Sequence, residues 1–438
     1  MAGGNWTVQN KVRPGVYVKF AGEGNAAVTL GERGVTALAL ELPWGPAKTL
    51  LEIRAEDDVR ELLGFDLTSA PLLLAKEALK RARTLLLYRL NAGTKATATA
   101  GNLTATAKHG GVRGNDLAIA AQVNVDDAAK FDVTTLLDGI VVNKQIGANV
   151  SDLVANEWVT FAGTGSLSAT AGVPLTGGAN GSATNGDHSD FLAALELKDY
   201  QTVAYAGTDT TLKGVYAAFV RRQREDEGKK VLGVLAAYPT ADYEGIVSVK
   251  NGVVLADGTT LSAAQATAWV AAATAAASVS ESLTYAGYDD AVDASPRYTN
   301  SQIEAALQAG ELVFTAGNGK AYVEQDVNTL KSLSTDKPAS FRKNRVIRVL
   351  DGVSNDCKRI FETSYIGKVS NNADGQSLFR AAIVFYLEGL QRAGAIRDFN
   401  SQTDVTVAAG AEADSLYIEA NVQPVDSVDK IYMRVNVR

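Results

Sequence analysis

The last nine residues of the chain, 430–438, alternate strictly between apolar and polar side chains. The apolar positions, which would share one face of an extended chain, are Ile431, Met433, Val435 and Val437. Because a period of two is typical of a half-buried strand, we predict a strand that continues to the end of the sequence, where chain ends commonly fray. Its backbone donors and acceptors require a partner strand.

A second short strand is predicted near the start of the chain, at residues 12–20, after a mostly polar stretch. Its candidate pairing residues are Val12, Val16, Tyr17, Val18 and Phe20. Two terminal segments that can add to a sheet are what a strand-exchanging assembly needs. Pairing of both segments within their own domain is equally compatible with these patterns.

The rest of the chain changes pattern several times. Residues 94–180 hold short alternating runs rich in Ala, Thr, Val and Gly, which predict an all-β insertion. Residues 181–335 alternate helices and strands, which favours parallel strands. We therefore predict a multidomain protein that combines α/β and α+β parts with an inserted all-β domain. The predicted units are an N-terminal strand arm (1–30), the first part of an α/β core (31–93), a β-sandwich or barrel (94–180), the main α/β core (181–335), a C-terminal α+β domain (336–426) and a C-terminal strand arm (427–438).

Three short stretches of the chain also have a predicted local structure. Residues 163–186 resemble a low-complexity linker. The run 312–315 predicts a single strand. The apolar run Asn344–Leu350 also predicts a strand, after which Ser354 would cap a helix.

Composition excludes several classes of function. The chain of 438 residues has a net charge of −7, which disfavours wholesale nucleic-acid binding. A single cysteine, Cys357, rules out a disulfide within the chain. The sequence lacks a secretory signal pattern and an apolar run of membrane-spanning length, so we expect a soluble protein made in a cytoplasm.

The two histidines give little support for catalysis or metal binding. His188 stands between Asp187 and Ser189, but adjacent residues cannot form the geometry of a hydrolase triad, so a helix start is favoured there. His109 lies among glycines, and we expect it to be exposed to solvent. We predict no catalytic residue, no cofactor and no metal.

The charge is unevenly distributed. Residues 337–398 contain eleven Lys and Arg against six Asp and Glu, a net charge of +5, so the remainder carries −12 of the total of −7. A basic C-terminal unit on an acidic body suits an electrostatic contact between unlike surfaces. An ordinary basic helical face explains the excess about as well.

Six short motifs, in their order and spacing, resemble the contractile-tail sheath proteins of bacteriophages and related contractile particles, in the form common in phages of Gram-positive bacteria. The resemblance covers nearly the whole chain. The motifs are Arg13-Pro-Gly-Val-Tyr17, Gly111-Val-Arg-Gly-Asn-Asp-Leu117, Leu175-Thr-Gly-Gly-Ala-Asn-Gly181, Asn344-Arg-Val-Ile-Arg-Val-Leu-Asp351, Tyr365-Ile-Gly-Lys-Val369 and Val422-Gln-Pro-Val425.

The resemblance implies an architecture for the subunit and its assembly. The α/β core would resemble a subtilisin-like layer without peptidase activity. Subunits would form six-fold rings stacked helically around an inner tube, and both terminal arms would add strands to neighbouring subunits. The C-terminal domain would face the tube, with candidate contacts at Arg342, Lys343, Lys358, Arg359, Arg380 and Arg392. Arm hinges would lie at 21–25 and 423–426, with Gly22, Gly24 and Pro424 as the hinge residues.

The implied function is mechanical. A metastable extended sheath would contract and drive the tube through a target cell envelope, with tube, baseplate and tail terminator proteins as partners and no direct contact with nucleic acid or membrane. The protein would belong to the tail of a virion or phage-like particle. Two alternatives remain from the residues alone: an α/β hydrolase with His188 as base, and another self-assembling lattice protein.

Overall fold

The computed structural model describes residues 2–4, 15–17 and 31–437. At the start of the chain, strand β1 (Ala2–Gly4) pairs in parallel with β2 (Gly15–Tyr17). Of the predicted N-terminal strand, only the backbone of β2, with Val16 and Tyr17, belongs to the described residues. Val12, Val18, Phe20, Gly22 and Gly24 lie outside them, as does the predicted hinge 21–25.

The first part of the core and the all-β insertion follow in chain order. The core elements are β3 (Val35–Leu40), β4 (Leu50–Ile53), α1 (Arg60–Leu63), α2 (Leu73–Leu79) and β5 (Thr84–Arg89). The insertion contains β6 (Thr97–Ala100), β7 (Leu103–Ala107), β8 (Leu117–Val123), β9 (Phe131–Leu137), β10 (Ile140–Gly147), β11 (Val159–Ala162) and β12 (Thr170–Pro174). Its two antiparallel sheets, β10-β9-β8-β12 and β11-β7-β6, enclose one apolar core. Because β12 belongs to the larger sheet, the prediction of a linker over 163–186 is wrong for residues 170–174.

The central part alternates helices and strands, as predicted. Its elements are α3 (Asn185–Glu196), β13 (Thr202–Tyr205), α4 (Thr210–Glu225), β14 (Leu232–Ala236), β15 (Ile246–Val249), β16 (Gly252–Leu255), β17 (Thr260–Leu261), α5 (Ala263–Ala276), β18 (Ala291–Ser295), α6 (Asn300–Gln308), β19 (Glu311–Leu312), β20 (Phe314–Gly317) and β21 (Lys320–Val323). The predicted single strand at 312–315 is wrong, because β19 joins the main sheet whereas β20 forms a hairpin with β21.

A seven-stranded sheet in the order β19-β15-β14-β13-β3-β5-β4 unites the two parts of the core, and only the pair β4–β5 is antiparallel. Alternate residues of each strand face opposite sides of such a sheet. Leu38 of β3 packs in the cluster that contains Trp269 of α5, whereas Ala37 packs with Tyr216 of α4. Helices therefore cover both faces of the sheet, which suits parallel strands buried on both sides.

The C-terminal unit contains two long helices and short strand pairs. Its elements are α7 (Asn344–Ser364), α8 (Ala373–Arg392), β22 (Ile396–Arg397), β23 (Val405–Ala409), β24 (Leu416–Ala420) and β25 (Gln423–Pro424). β22 pairs with β25, and β23 pairs with β24. Short 3-10 helices occur at Ala70–Leu72, Val112–Asp116, Val150–Asp152, Pro239–Ala241 and Ala339–Arg342.

Two predictions are wrong at the start of α7. Residues 344–350 are helical, and Ser354 lies inside the same helix instead of capping one. The run Val346-Ile347 has the β-branched composition of a strand, but Val346 and Val349 also share a helical face and are buried. Burial in tertiary contacts outweighs the weak intrinsic preference of such residues.

No helix among the described residues is long and apolar enough to cross a membrane.

Candidate functional site

The C-terminal segment, residues 425–437, has no strand partner among the described residues. Residues 425–437 form neither helix nor strand, so the predicted terminal strand is not paired in the isolated subunit. The four residues of the predicted apolar face are open to solvent, with exposures from 73% at Val435 to 95% at Val437. An alternating apolar strand sequence without a partner is a ready site for pairing with another chain.

Asp429 fixes the base of this segment to the body of the subunit. Its carboxylate forms an ion pair with Lys343 and accepts hydrogen bonds from Gln325 Nε2 (2.9 Å) and Ser427 Oγ (2.6 Å). Burial would raise the pKa of Asp429, but the hydrogen bonds from Gln325, Lys343 and Ser427 outweigh it and hold the pKa below its ordinary value. The charged carboxylate is therefore the form that anchors the segment.

The predicted hinge residue Pro424 lies in a paired strand. It stands opposite Ile396 in the β22–β25 pair, and the next residue, Val425, donates its N–H to Ala395 O over 2.9 Å. Together with Asp429, this pairing holds the backbone from residue 423 to residue 429. In the isolated subunit, the unattached part of the segment begins at Lys430.

The β23–β24 hairpin has open edges. Among the described residues neither strand pairs with a third strand, so each keeps one edge without a strand partner, although Arg380 of α8 donates to the Val405 carbonyl on β23. A cavity of about 270 Å³ lies beside β24 and is lined by side chains that are mainly apolar. The lining includes Phe361, Tyr365, Val369, Phe379, Leu416 and Ile418. An open edge next to an apolar cavity is the combination that strand addition uses, because the backbone pairs while alternate side chains fill pockets.

Three of the six predicted tube-facing residues are bound within the chain. Arg342 donates to the carbonyl of Leu307 over 3.1 Å at the end of α6, and Lys343 pairs with Asp429. Arg380 Nε donates to the carbonyl of Val405 over 3.0 Å, which ties α8 to the hairpin. These three side chains have structural partners in the subunit itself.

The other three predicted basic residues are more open. Lys358 Nζ donates to the carbonyl of Glu227 over 3.1 Å, and Arg359 pairs with Asp356 over 3.4 Å. Arg392 pairs with Glu388 over 4.0 Å, and its side chain is 64% exposed. The Arg392–Glu388 pair is exposed on both sides, and exposed pairs of this kind contribute little to stability.

The region around His188 has the structure of a helix start. Thr184 caps α3, and the carboxylate of Asp187 accepts from the backbone N–H of Thr184 over 2.7 Å, which confirms the predicted helix start. Lys48 pairs with Asp187 over 2.6 Å, and its hydrogen bond, with those from Thr184, lowers the pKa of Asp187 to about 2. Asp187 therefore does not orient the ring of His188.

His188 itself is buried and contacts the hydroxyl of Tyr216 through Nδ1 over 2.9 Å. Burial lowers the pKa of His188. It lines a cavity of about 330 Å³ whose hydroxyl-bearing residues are Thr184, which caps α3, and Tyr205. The cavity also contains the carboxyl group of Glu41.

The predicted exposure of His109 is wrong in part, because the residue is half-buried. Its ring packs edge-on against the buried Trp44, with ring centroids 5.2 Å apart. Burial, followed by the charges of Lys108, Arg89 and Lys95, lowers the pKa of His109 to about 4. Among the described residues no group of His, Cys, Asp and Glu is placed to hold a metal ion.

Sequence reasoning missed Asp429 as the anchor of the C-terminal segment. Locally, Asp429 is one of two acidic residues, with Asp426, in the short stretch before Lys430, and nothing in that pattern distinguishes it from Asp426. Its partners Gln325 and Lys343 are 104 and 86 positions away, so the chain's local pattern could not identify them.

Models of phage tail sheath families match the chain over most of its length. The phage tail sheath protein central domain matches residues 181–329, the C-terminal domain matches 336–438, and the beta-sandwich domain matches 91–180. The tail sheath protein Gp18 domain III N-terminal region matches residues 33–90.

Similar proteins extend over the full chain. The phage-like element PBSX protein XkdK of Bacillus subtilis is 38% identical, over 100% of both chains. The crystal structure of the sheath tail protein from Desulfitobacterium hafniense is 55% identical, with a TM-score of 0.89, over 97% of this chain and 100% of that one. The sheath tail protein of Listeria innocua is 41% identical, with a TM-score of 0.81, over 92% of this chain and 95% of that one.

Proposed function

Because this chain belongs to the phage tail sheath protein family and is a structural subunit of a contractile sheath, we propose that it polymerises through its terminal segments into stacked six-fold rings around an inner tube. Its location is the tail of a phage or phage-like particle. The observation that carries the proposal is the unpaired C-terminal segment, whose alternating apolar residues are exposed beyond the anchor at Asp429.

The open edge of the β23–β24 hairpin is the proposed acceptor. Residues Ile431–Val437 of one copy would pair with this edge on a neighbouring copy and direct their apolar face towards the cavity beside β24. Complete burial of each apolar side chain contributes about 1.5–3 kcal/mol. Four such side chains, together with the backbone pairing, would offset the entropy lost when the segment becomes ordered.

Contraction needs subunits that change neighbours without separating. A short segment that is anchored at its base and paired at its tip meets this need, because the rigid bodies can rotate while the link persists. We place the C-terminal hinge at Lys430, after the anchored stretch 423–429. The tube is the proposed partner of the basic C-terminal unit, with Lys358, Arg359 and Arg392 as its more open cations.

We also propose that the subunit has no enzymatic activity, that its parallel-sheet core corresponds to a subtilisin-like layer without peptidase function, and that it is made in the host cytoplasm. The first point is supported by the contacts of the two candidate triad residues: the Asp187 carboxylate binds Lys48 and Thr184, and His188 Nδ1 contacts the Tyr216 hydroxyl. Tube, baseplate and tail terminator proteins are the proposed partners, and the six units predicted from the sequence remain the proposed division of the chain.

A comparison of the two faces of the terminal segment tests this proposal. One variant replaces Ile431, Met433, Val435 and Val437 with Ser, and its matched control replaces Tyr432, Arg434 and Asn436 with Ser. Electron microscopy of the purified proteins, with and without tube protein, measures assembly. We expect the control to form tubes or stacked rings and the apolar-face variant to remain unassembled. Equal assembly of the two variants would contradict strand addition through the apolar face.

A further inference from the structure

Both ends of the continuously described chain are attached to helix α7. On the N-terminal side, the backbone N–H of Gly31 donates to Asp356 Oδ2 over 3.1 Å. The hydroxyl of Tyr386 in α8 donates to the same oxygen over 2.9 Å. Asp356 is buried in α7, so residue 31 is fixed to the middle of that helix.

The contact at Gly31 leaves no space for a side chain. A Cβ atom there would lie 2.4 Å from Asp356 Oδ1, well inside van der Waals contact. Two residues later, Arg33 Nε donates to the carbonyl of Ala277 over 2.8 Å at the end of α5. The chain is therefore held from residue 31 onwards.

On the C-terminal side, the attachment is at the start of α7. Lys343, the residue immediately before α7, pairs with Asp429, and Gln325 and Ser427 complete the set of donors. Lys343 and Asp356 are thirteen positions apart, which corresponds to about 20 Å along a helix axis. The two attachment points therefore lie on one rigid element.

The body of α7 is also held firmly. Asp351 accepts two hydrogen bonds from Arg224, each 2.7 Å long, and Asn344 Nδ2 donates to Asp326 Oδ1 over 2.8 Å.

We infer that α7 is the rigid element that connects the two terminal segments in series. When a neighbouring subunit pulls on one segment, the force passes to the other segment along this helix. Gly31, Asp356, Lys343 and Asp429 are the positioning residues of this path. The inference rests on the proposed exchange of terminal strands between copies.

Hydrogen exchange on the unassembled full-length protein tests the C-terminal attachment separately from assembly. Asp429→Ala removes hydrogen bonds to a charged group. We therefore expect the rate of backbone amide hydrogen exchange across residues 423–430 to rise about tenfold. The matched control is Asp336→Ala, at an exposed loop position, which should leave this exchange unchanged. Unchanged exchange in Asp429→Ala would overturn the inference, whatever the protein assembles into.

Contraction of assembled sheaths tests the series connection. We expect Gly31→Ala and Asp429→Ala each to lower severalfold the fraction of sheaths that stay continuous after contraction. Gly389→Ala should not, because its new Cβ would lie 3.9 Å from the Arg392 side chain, an ordinary van der Waals distance. If the two attachments act in series, breaking the second causes no further fragmentation. The double variant should then leave the same fraction of continuous sheaths as the worse single variant. Independent sites would instead show additive losses. Additive losses, or continuous contraction of both single variants, would overturn the inference.

Asp356→Asn provides a second N-terminal variant in case Gly31→Ala folds poorly, because it keeps the shape of the side chain while weakening its acceptor. It should reproduce the fragmentation on contraction. Failure of the unmodified protein to form a sheath at all would instead contradict the proposed function, and the exchange measurement would still decide whether the attachment exists.

Discussion

Arg224 of α4 and Asp351 of α7 form a buried bidentate pair, with both hydrogen bonds 2.7 Å long. Their side chains are 5% and 10% exposed. The pair joins the central α/β layer to the C-terminal unit. Burial disfavours the charge on Arg224, but the charge of Asp351 and its hydrogen bonds outweigh this effect and raise the pKa of the guanidinium.

Asp351→Ala should destabilise the protein by about 3–5 kcal/mol, because it leaves the guanidinium of Arg224 buried without its partner. Urea unfolding followed by far-UV circular dichroism measures the loss. The matched control is Arg297→Ala, which breaks the exposed pair with Asp293 and should cost no more than about 1 kcal/mol. Similar losses in the two variants would contradict the role given to the buried pair.

Gly111→Ala should loosen the β-sandwich from the core. Gly111 has a φ of 135°, and a Cβ there would lie 1.9 Å from the carbonyl oxygen of Pro43. Gly172→Ala is the control, since its φ of 109° is also unfavourable for alanine but nothing lies within 4 Å of the new Cβ. Backbone strain costs about 1–3 kcal/mol in each variant, and the clash adds to it only at residue 111. Calorimetry should therefore give a clearly lower Tm for Gly111→Ala, and equal Tm values would refute the close-packed junction.

His109 should make stability depend on pH below neutrality. Its pKa falls from about 6.5 in the unfolded chain to about 4 in the folded protein, so the unfolded state binds the additional proton between these values. The stability that the neutral His109 ring contributes is therefore fully present above about pH 6.5. It is lost as the pH falls towards 4, by a few kcal/mol at most.

His109→Phe should flatten this dependence, because phenylalanine keeps the packing against Trp44 and cannot titrate. Urea midpoints measured from pH 4.5 to 7 provide the comparison. His188 also has a lowered pKa, so the variant should reduce the slope without abolishing it. An unchanged slope would show that His109 is not buried as a neutral ring.

Cys357 should react slowly with thiol reagents in the folded protein. Burial, together with the charge of the adjacent Asp356, raises the pKa of its thiol to about 11, and the thiolate is the reactive form. We expect labelling by maleimide at neutral pH to be much faster in denaturant. Equal rates in native and denatured protein would contradict this environment for the α7 cysteine.

The elements that the sequence predicts well have local causes. The start of α3 was predicted near Asp187 and Ser189 because such residues favour helix starts, and the capping residue proves to be Thr184, three positions before Asp187. The central alternation of helices and strands was likewise predictable, because buried parallel strands are continuous apolar runs.

The elements that could not be predicted depend on distant contacts. The run at Val346 fits both a strand and a helix, and only its packing decides between them. The anchor at Asp429 needs residues of two other segments, Gln325 and Lys343. The alternation at 431–437 predicts a strand, but the isolated subunit offers this segment no partner strand. The prediction is correct only if a second molecule supplies that partner.

Cryo-electron microscopy of assembled tubes tests the central claim most directly. The density of residues 431–437 should continue from Lys430 of one copy and run as a strand along the β23–β24 hairpin of a neighbouring copy. Stacked rings in which this segment pairs within its own chain, or in which it contacts no hairpin, would contradict the account.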